Sequence, residues 1–265
     1  MKKTKIIIPA LALLLLGTAA SVTGTVAWFS MNADVTATGM TVKAVAEQGI
    51  VISNKSNGTY GPIAESVKDT TAELLPASTA DLAHWWHAKS NDPANHAAVA
   101  GTYTSANTEG TYYISHDFYI RSSAAEELEI NSLDVKSISV EDTRVAPEDE
   151  EDEGLQNLSK ALRVGIQFED STNYFIYAPF TGATTSYSVY NNGNDLIPVT
   201  AKSATTVSND ALITSLPSNT EAGQHAVVYI WFEGEDENCI SNNIKAVLEE
   251  LTVSVEFSYT EKTNG

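Results

Sequence analysis

Leu251-Thr-Val-Ser-Val-Glu-Phe-Ser-Tyr-Thr260, near the end of the 265-residue sequence, carries the clearest pattern in the chain. Apolar residues occupy every second position, and Thr, Ser or Glu occupies each position between them. Successive side chains of a strand point to opposite faces, so this alternation predicts a strand with one face on a core and the other in water.

A second decisive segment lies before it, at residues 226–232, and is apolar on both faces. One face carries Val228, Ile230 and Phe232, and the other carries Val227, Tyr229 and Trp231. This pattern predicts a central strand that is covered on both sides. An acidic turn, Glu233-Gly-Glu-Asp-Glu-Asn238, follows it directly.

The rest of the chain is mostly β-prone. Alternation predicts strands at 33–46, 49–53, 111–121, 128–140, 164–168 and 173–178, with a bulge or kink at Asn131-Ser132. An Asn-rich turn at 191–194 precedes an edge strand at 196–199, because Pro198 cannot donate to a ladder. Short helices are predicted near Thr79, at 155–162 and at 240–249. Strands outnumber helices and do not alternate with them, which favours an all-β, antiparallel sandwich with a few short helices.

The N-terminus has the layout of a secretory signal peptide. Lys2, Lys3 and Lys5 form a positive region, residues 6–16 are uncharged and apolar, and small residues follow. Cleavage after Ala20 or after Ala27 fits the small-x-small rule, and the second site leaves Trp28 as the new N-terminus. We therefore predict a signal helix at 1–27 and a single secreted domain at 28–265. The alternative is a retained membrane anchor, since residues 6–27 are long enough to cross a bilayer.

The first strand of the mature chain is unusual because its two faces differ little. Thr36, Thr38, Met40, Val42 and Ala44 share one face, whereas Val35, Ala37, Gly39, Thr41 and Lys43 share the other. A strand with weakly distinguished faces has a loosely specified register. It is either an ordinary first strand or a strand that leaves its own subunit and pairs with a neighbour.

The charge balance restricts the partners. The formal net charge is −19, and removal of residues 1–27 takes away three lysines and no acid, which gives −22. Because phosphates repel such a negatively charged protein, we predict no nucleic-acid partner and no membrane contact beyond the signal segment. Cys239 is the single cysteine and its role stays open; an exported chain without an internal disulfide is more typical of Gram-positive bacteria.

No catalytic motif is present, and we predict that the protein is not an enzyme. A hydrolase is the third alternative, which two or more histidines and a carboxylate converging on one pocket would support. His84 and His87 have metal-ligand spacing, with His96 as a third candidate, but the His-Glu-x-x-His arrangement is absent. The acidic run 148–153 lacks the spacing of a calcium loop and is interpreted as a solvated loop. Glu235 and Asp236, which follow a central strand, are the better candidates if a cation such as Ca²⁺ binds, but we predict no resident metal or cofactor.

The cleavage region resembles that of the TasA/camelysin group of secreted bacterial proteins. The matching residues are Gly24-Thr25-Val26-Ala27 followed by Trp28-Phe29-Ser30. The segment Trp231-Phe-Glu-Gly-Glu-Asp236 with Cys239 is similar to one in exported Firmicutes proteins that have the same Ala-Trp-Phe start. The resemblance implies a jelly-roll-like sandwich, cleavage between Ala27 and Trp28 by a dedicated signal peptidase, and polymerisation into extracellular matrix fibres. Camelysins are described as metalloproteases, an activity for which this chain has no zinc motif.

The resemblance also implies a donor strand, at roughly 28–46, that completes the sheet of the next subunit. The residues that we expect to carry it are Val35, Ala37, Met40, Val42 and Ala44. The leading hypothesis is therefore a secreted structural subunit of a biofilm matrix or surface fibre of a Gram-positive bacterium, which self-associates by strand addition. The alternative is a secreted or membrane-anchored surface binding module, an adhesin, with Trp85, Trp86 and nearby tyrosines as its contact patch.

Overall fold

The computed structural model describes residues 40–68, 74–88, 103–142, 159–169, 174–191, 195–208, 213–239 and 251–262. Within these ranges the protein is all-β, and Ser159–Ala161 forms a single 3-10 turn. The strands are β1 Met40–Ala46, β2 Ile50–Ser53, β3 Ile63–Lys68, β4 Ser78–Thr79, β5 Trp85–Ala88, β6 Tyr103–Ser105, β7 Ile114–Ser122, β8 Leu128–Asp142, β9 Leu162–Phe168, β10 Tyr174–Ala178, β11 Ser186–Asn191, β12 Asp195–Thr200, β13 Lys202–Ser203, β14 Ser215–Leu216, β15 Gln224–Phe232 and β16 Leu251–Glu261.

Two large sheets face each other across a shared core. One has the order β14-β8-β16-β1-β3 and the other β13-β10-β9-β15-β7-β2. The core-facing side chains of both belong to one buried cluster, the main core, in which the rings of Phe168 and Phe257 meet edge to face at 6.2 Å. The sheets are not purely antiparallel as predicted, because β1 runs parallel to β16 and β13 runs parallel to β10.

A third layer covers the far side of the six-stranded sheet. It consists of the three-stranded sheet β4-β5-β6 and the hairpin β11-β12. Between this layer and the sheet lies a second apolar cluster, the outer core, made of Ala77, Leu82, Trp85, Ala106, Ile176, Ala178, Tyr187, Val189, Val199, Ala201 and Trp231. Gly165 on β9 makes the close approach possible, because a Cβ there would lie 2.6 Å from Cδ2 of Leu82.

The central and last strands agree with the sequence prediction. β15 lies between β9 and β7, with Val228 and Ile230 in the main core and Trp231 in the outer core. β16 lies between β8 and β1 and has its alternate residues Val253, Val255 and Phe257 fully buried. The predicted bulge is confirmed: the register skips Asn131, since Ser132 faces Thr260 and Ile130 faces Glu261. A second bulge at Lys136 was not predicted.

The helix predicted near Thr79 is wrong, although its cap exists. The Thr79 hydroxyl accepts from the backbone N–H of Asp81 and of Leu82, as the cap of a helix would. Leu82 then adopts a positive φ of 57°, which ends the turn, and the chain continues as strand β5. Burial of Leu82 and Trp85 in the outer core outweighs the local preference for a helix.

The helix predicted at 155–162 is wrong at its end, because Leu162 already belongs to β9 and to the main core. The helix predicted at 240–249, the acidic run 148–153 and His96 lie outside the described residues. So do the predicted signal segment 1–27, the predicted cleavage site at Ala27 and Trp28, and the predicted donor residues Val35 and Ala37. No helix among the residues that the structure describes is long and apolar enough to cross a membrane.

Candidate functional site

Strand β1 is the part of the predicted donor segment that the structure describes. Its residues Met40, Val42 and Ala44, all expected donor residues, point into the main core and are at most 1% exposed. Thr41, Lys43 and Val45 on the other face are half-buried. The two faces are therefore less alike in the folded chain than their sequence suggests.

β1 is hydrogen-bonded within its own chain on both sides. It pairs with β16 in parallel, from Thr41 opposite Thr252 to Ala46 opposite Phe257, and with β3 in antiparallel fashion. Among the described strands, β1 is the sole partner of β3, so β3 forms the free edge of the five-stranded sheet. β1 thus lies one strand away from an open edge.

The free edge exposes apolar side chains. Ile63 is 57% exposed and Val67 is 60% exposed, with Glu65 between them on the same face. Glu65 forms an ion pair with Lys43 at 3.6 Å, and both side chains are substantially exposed. Charges on an edge strand discourage pairing with other chains. The edge therefore exposes two apolar side chains, Ile63 and Val67, with the charged Glu65 between them.

A short connection ties β1 to the opposite sheet. The backbone N–H of Glu47 donates to the carbonyl of Phe257, and that of Ile50 donates to the carbonyl of Glu47. Gly49 has a φ of 101°, and a Cβ there would lie 2.5 Å from the hydroxyl oxygen of Tyr259. The connection from β1 to β2 is therefore tightly built and packs against the last strand.

The predicted cation candidates, Glu235 and Asp236, are engaged by protein groups. Asp236 is fully buried, and its Oδ2 accepts from Nη2 of Arg163 at 2.6 Å and from the backbone N–H of Thr184 at 2.9 Å. Its Oδ1 accepts from the backbone and side-chain amides of Asn238. Glu235 accepts from the hydroxyl of Tyr103 at 3.1 Å. A cation at Asp236 would have to displace these donors.

Sequence reasoning missed Arg163, the buried partner of Asp236. Its guanidinium is fully buried on β9 and also donates to the carbonyls of Lys160, Leu162 and Thr184. The one signal in the sequence was a basic residue between Leu162 and Val164 in an otherwise apolar strand. An acidic turn at the end of the neighbouring strand supplies the charge that such a buried arginine needs.

The described members of the predicted histidine group, His84 and His87, have separate partners. The imidazole of His84 contacts the carboxylate of Asp81 at 2.7 Å at the surface, whereas Nδ1 of His87 lies 2.8 Å from the carbonyl of Pro76. His116 is buried beside Ser66, and burial lowers its pKa to about 4. Among the described residues there is no group of three or more His, Cys, Asp or Glu suited to holding a metal ion.

The tryptophan pair is split between interior and surface. Trp85 is 2% exposed, stacks on Tyr113 at 4.3 Å and meets Trp231 edge to face at 5.1 Å. It therefore cannot contribute to a contact patch as expected. Trp86 is half-buried and meets Tyr190 edge to face at 5.0 Å, and Tyr190 in turn stacks on Tyr103.

Cys239 is fully buried in the main core, and burial raises the pKa of its thiol well above the ordinary value, with the charge of Glu233 adding to the effect. It therefore packs as a small apolar residue.

Comparisons with protein-family models, with curated proteins and with solved structures found no match to this chain.

Proposed function

We propose that the protein is an exported structural subunit of a bacterial surface fibre or biofilm matrix, built on a jelly-roll-like sandwich. Subunits join when the N-terminal segment of one chain adds to the sheet of the next. The observation that carries this proposal is the position of β1, the first described strand. It lies next to the edge strand, and both of its backbone edges form ladders that the same strand of another subunit could form equally well.

Two forms of strand addition differ in what happens to β1. In the first, β1 leaves its position between β16 and β3 and is replaced by β1 of a neighbour. In the second, β1 stays, and the residues between 28 and 39 pair with the free edge of a neighbour's β3. The tight connection through Gly49 opposes the first form, since it must open for β1 to move away from β2.

A reversible disulfide separates the two forms. Lys43 on β1 faces Glu65 on β3 in the antiparallel ladder, so Lys43→Cys with Glu65→Cys locks β1 into its own subunit. If β1 exchanges, the oxidised protein stays monomeric and reduction restores fibres, as seen by sedimentation and electron microscopy. The matched control is Ser186→Cys with Thr200→Cys, which locks the distant hairpin β11-β12 and should leave assembly unchanged.

Deletion tests the second form and the proposal as a whole. Removing residues 28–39 leaves the core side chains Met40, Val42 and Ala44 in place, whereas a deletion through Ala46 would also remove part of the main core. The shorter deletion should abolish fibres while far-UV circular dichroism stays unchanged. Normal fibres from both the oxidised β1 lock and this deletion would reject strand addition.

A second candidate is a surface binding module, favoured by the half-buried rings of Trp86, Tyr103 and Tyr190. Aromatic rings at a surface offer large contact area with a polar tip. The test is retention on purified cell-wall polysaccharide. Trp86→Ala should reduce retention about tenfold. The control is Tyr60→Phe, at a ring that packs against Arg121 instead. Equal retention of the two variants would reject this candidate.

A further inference from the structure

A buried imidazole joins the six-stranded sheet to the edge strand of the other sheet. His116 belongs to β7 and is fully buried. Its Nδ1 lies 3.0 Å from the hydroxyl oxygen of Ser66 on β3. Its Nε2 is also buried and has no hydrogen-bond partner among the described residues. The ring is therefore a titratable group with one nitrogen satisfied and the other left over.

The unpartnered nitrogen determines which charge state the folded protein accepts. A neutral imidazole has one N–H and one lone pair, whereas an imidazolium has an N–H on both nitrogens. When Nδ1 donates to Ser66, neutral His116 leaves a lone pair unpaired at Nε2. A charged His116 would bury a full charge together with an N–H that has no acceptor, which is much more costly. The closed structure therefore requires a neutral ring.

The strand that covers His116 is weakly held. Every residue of β3 is exposed or half-buried, and no residue of β3 belongs to the main core. Ala64 alone packs against that core from β3. Segments with few buried apolar contacts open locally at low free energy. Opening of β3 is therefore the least costly way to bring water to His116.

Three charged groups act on His116. Lys68, at the end of β3, opposes its protonation, whereas Glu109 and Asp117 favour it. Glu109 is paired with Lys68, and Asp117 is exposed and contacts His225. Neither carboxylate is hydrogen-bonded to the imidazole in the described contacts, so a proton on His116 gains no direct counter-charge.

We propose that protonation of His116 releases β3 and thereby makes β1 an open edge strand. The imidazolium on β7 faces the cation of Lys68 on β3 and has no acceptor at Nε2. Both costs fall when β3 moves away and water reaches the ring. β1 keeps its parallel ladder with β16, while its backbone groups that pair with β3 become free. Acid thus exposes a strand-pairing edge that is covered at neutral pH.

The sign of the pH dependence follows from the burial of the ring. Burial, and then the charge of Lys68, lowers the pKa of His116 to about 4, against the charges of Glu109 and Asp117, which raise it. In water the ordinary pKa of a histidine is about 6.5. The stability that the neutral ring gives to the closed state is therefore fully present above about pH 6.5 and is lost as the pH falls through about 4.

Hydrogen exchange of the monomeric protein at about pH 7.5 and at about pH 5 tests the proposal. The amides of β3, corrected for intrinsic rates, should open about 20-fold more often at the lower pH. Ordinary carboxylates are still mostly charged at about pH 5, so general acid unfolding is avoided. Amides of β15, in the middle of the six-stranded sheet, should keep their protection. The measurement uses single chains, so the inference does not depend on fibre assembly.

His116→Asn is the decisive variant, because its amide can still bond to Ser66 but cannot become charged. Opening of β3 in this variant should differ less than about twofold between the two pH values. The control is His84→Asn, at an exposed histidine, which should behave as the parent does. The same pH dependence in His116→Asn as in the parent, or equal opening of β3 at both pH values in the parent, would overturn the proposal.

The parent alone decides the matter if His116→Asn does not fold. Acid-induced opening that is confined to β3, with β15 still protected, supports the proposal. Opening that rises equally in β3 and β15 contradicts it, because the whole sandwich then responds to acid and not the strand that covers His116.

Discussion

At the scale of single residues, Gly49 is the position that most constrains the start of the fold. Its φ of 101° suits glycine, and a Cβ would collide with the hydroxyl of Tyr259. We expect Gly49→Ala to lower the free energy of unfolding by about 2–4 kcal/mol, from backbone strain and overpacking together. Urea denaturation measures the change.

Substitutions at two other glycines separate the effect of backbone strain from that of overpacking. Gly110 has a φ of 78°, but no atom lies within 4 Å of the position that a Cβ would take, and Gly61 has neither a positive φ nor a close contact. Gly110→Ala should therefore cost about 1–2 kcal/mol from backbone strain alone, and Gly61→Ala should be nearly neutral. An equal loss at Gly49 and at Gly110 would mean that the contact with Tyr259 contributes nothing.

The ion pair between Arg163 and Asp236 supplies a second prediction. Both side chains are fully buried, so Asp236→Asn leaves a buried guanidinium without its counter-charge. The expected loss is about 3–5 kcal/mol in the free energy of unfolding. The control is Glu256→Gln, which breaks the exposed pair with Lys136 and should cost less than about 1 kcal/mol. Comparable losses in the two variants would contradict the role given to burial.

At the scale of elements, the outer layer depends on one tryptophan. Trp85 joins β5 to the outer core through Tyr113 and Trp231, so Trp85→Ala should lower the free energy of unfolding by about 3–5 kcal/mol. Trp86→Ala, at the half-buried neighbour, should cost clearly less. Denaturation curves compare the variants, and hydrogen exchange should show β4–β6 losing protection before β16 does.

The elements also show which parts of the fold sequence reasoning can reach. β15 and β16 are long and strongly patterned, so periodicity alone identifies them and assigns their faces. The turn at Thr79 misleads because its local hydrogen bonds are those of a helix cap, and only burial of Leu82 and Trp85 shows that the chain turns away. Local signals cannot reveal such a tertiary choice.

The same reasoning explains which features of the candidate site could not be predicted from the sequence. The short-range pattern of β1 predicts a strand, but its parallel pairing with β16 joins residues about two hundred positions apart, which no local pattern encodes. The burial of Asp236 could not be predicted from the sequence either, because an acidic turn ordinarily indicates a loop exposed to solvent. The nearby Arg163 gives the explanation only once β9 and β15 are known to be neighbours.

At the scale of the whole molecule, the net charge opposes the proposed assembly. The formal net charge is −19 and would be −22 after the predicted removal of residues 1–27, so two copies of the chain repel each other over the range at which salt leaves charges unscreened. From about 10 mM to about 1 M salt, the screening length falls from about 30 Å to about 3 Å. If the proposed strand addition forms fibres, their lag time should shorten several-fold over this range.

The disulfide between β1 and β3 distinguishes strand addition from non-specific association in this test. Salt also strengthens non-specific association, so the oxidised Lys43→Cys/Glu65→Cys protein is followed beside the parent by light scattering. If β1 exchanges, the locked protein should stay monomeric at every salt concentration while the parent assembles faster. If both assemble faster to the same extent, the gain comes from exposed residues such as Ile63 and Val67 or from the residues before Met40, and not from movement of β1.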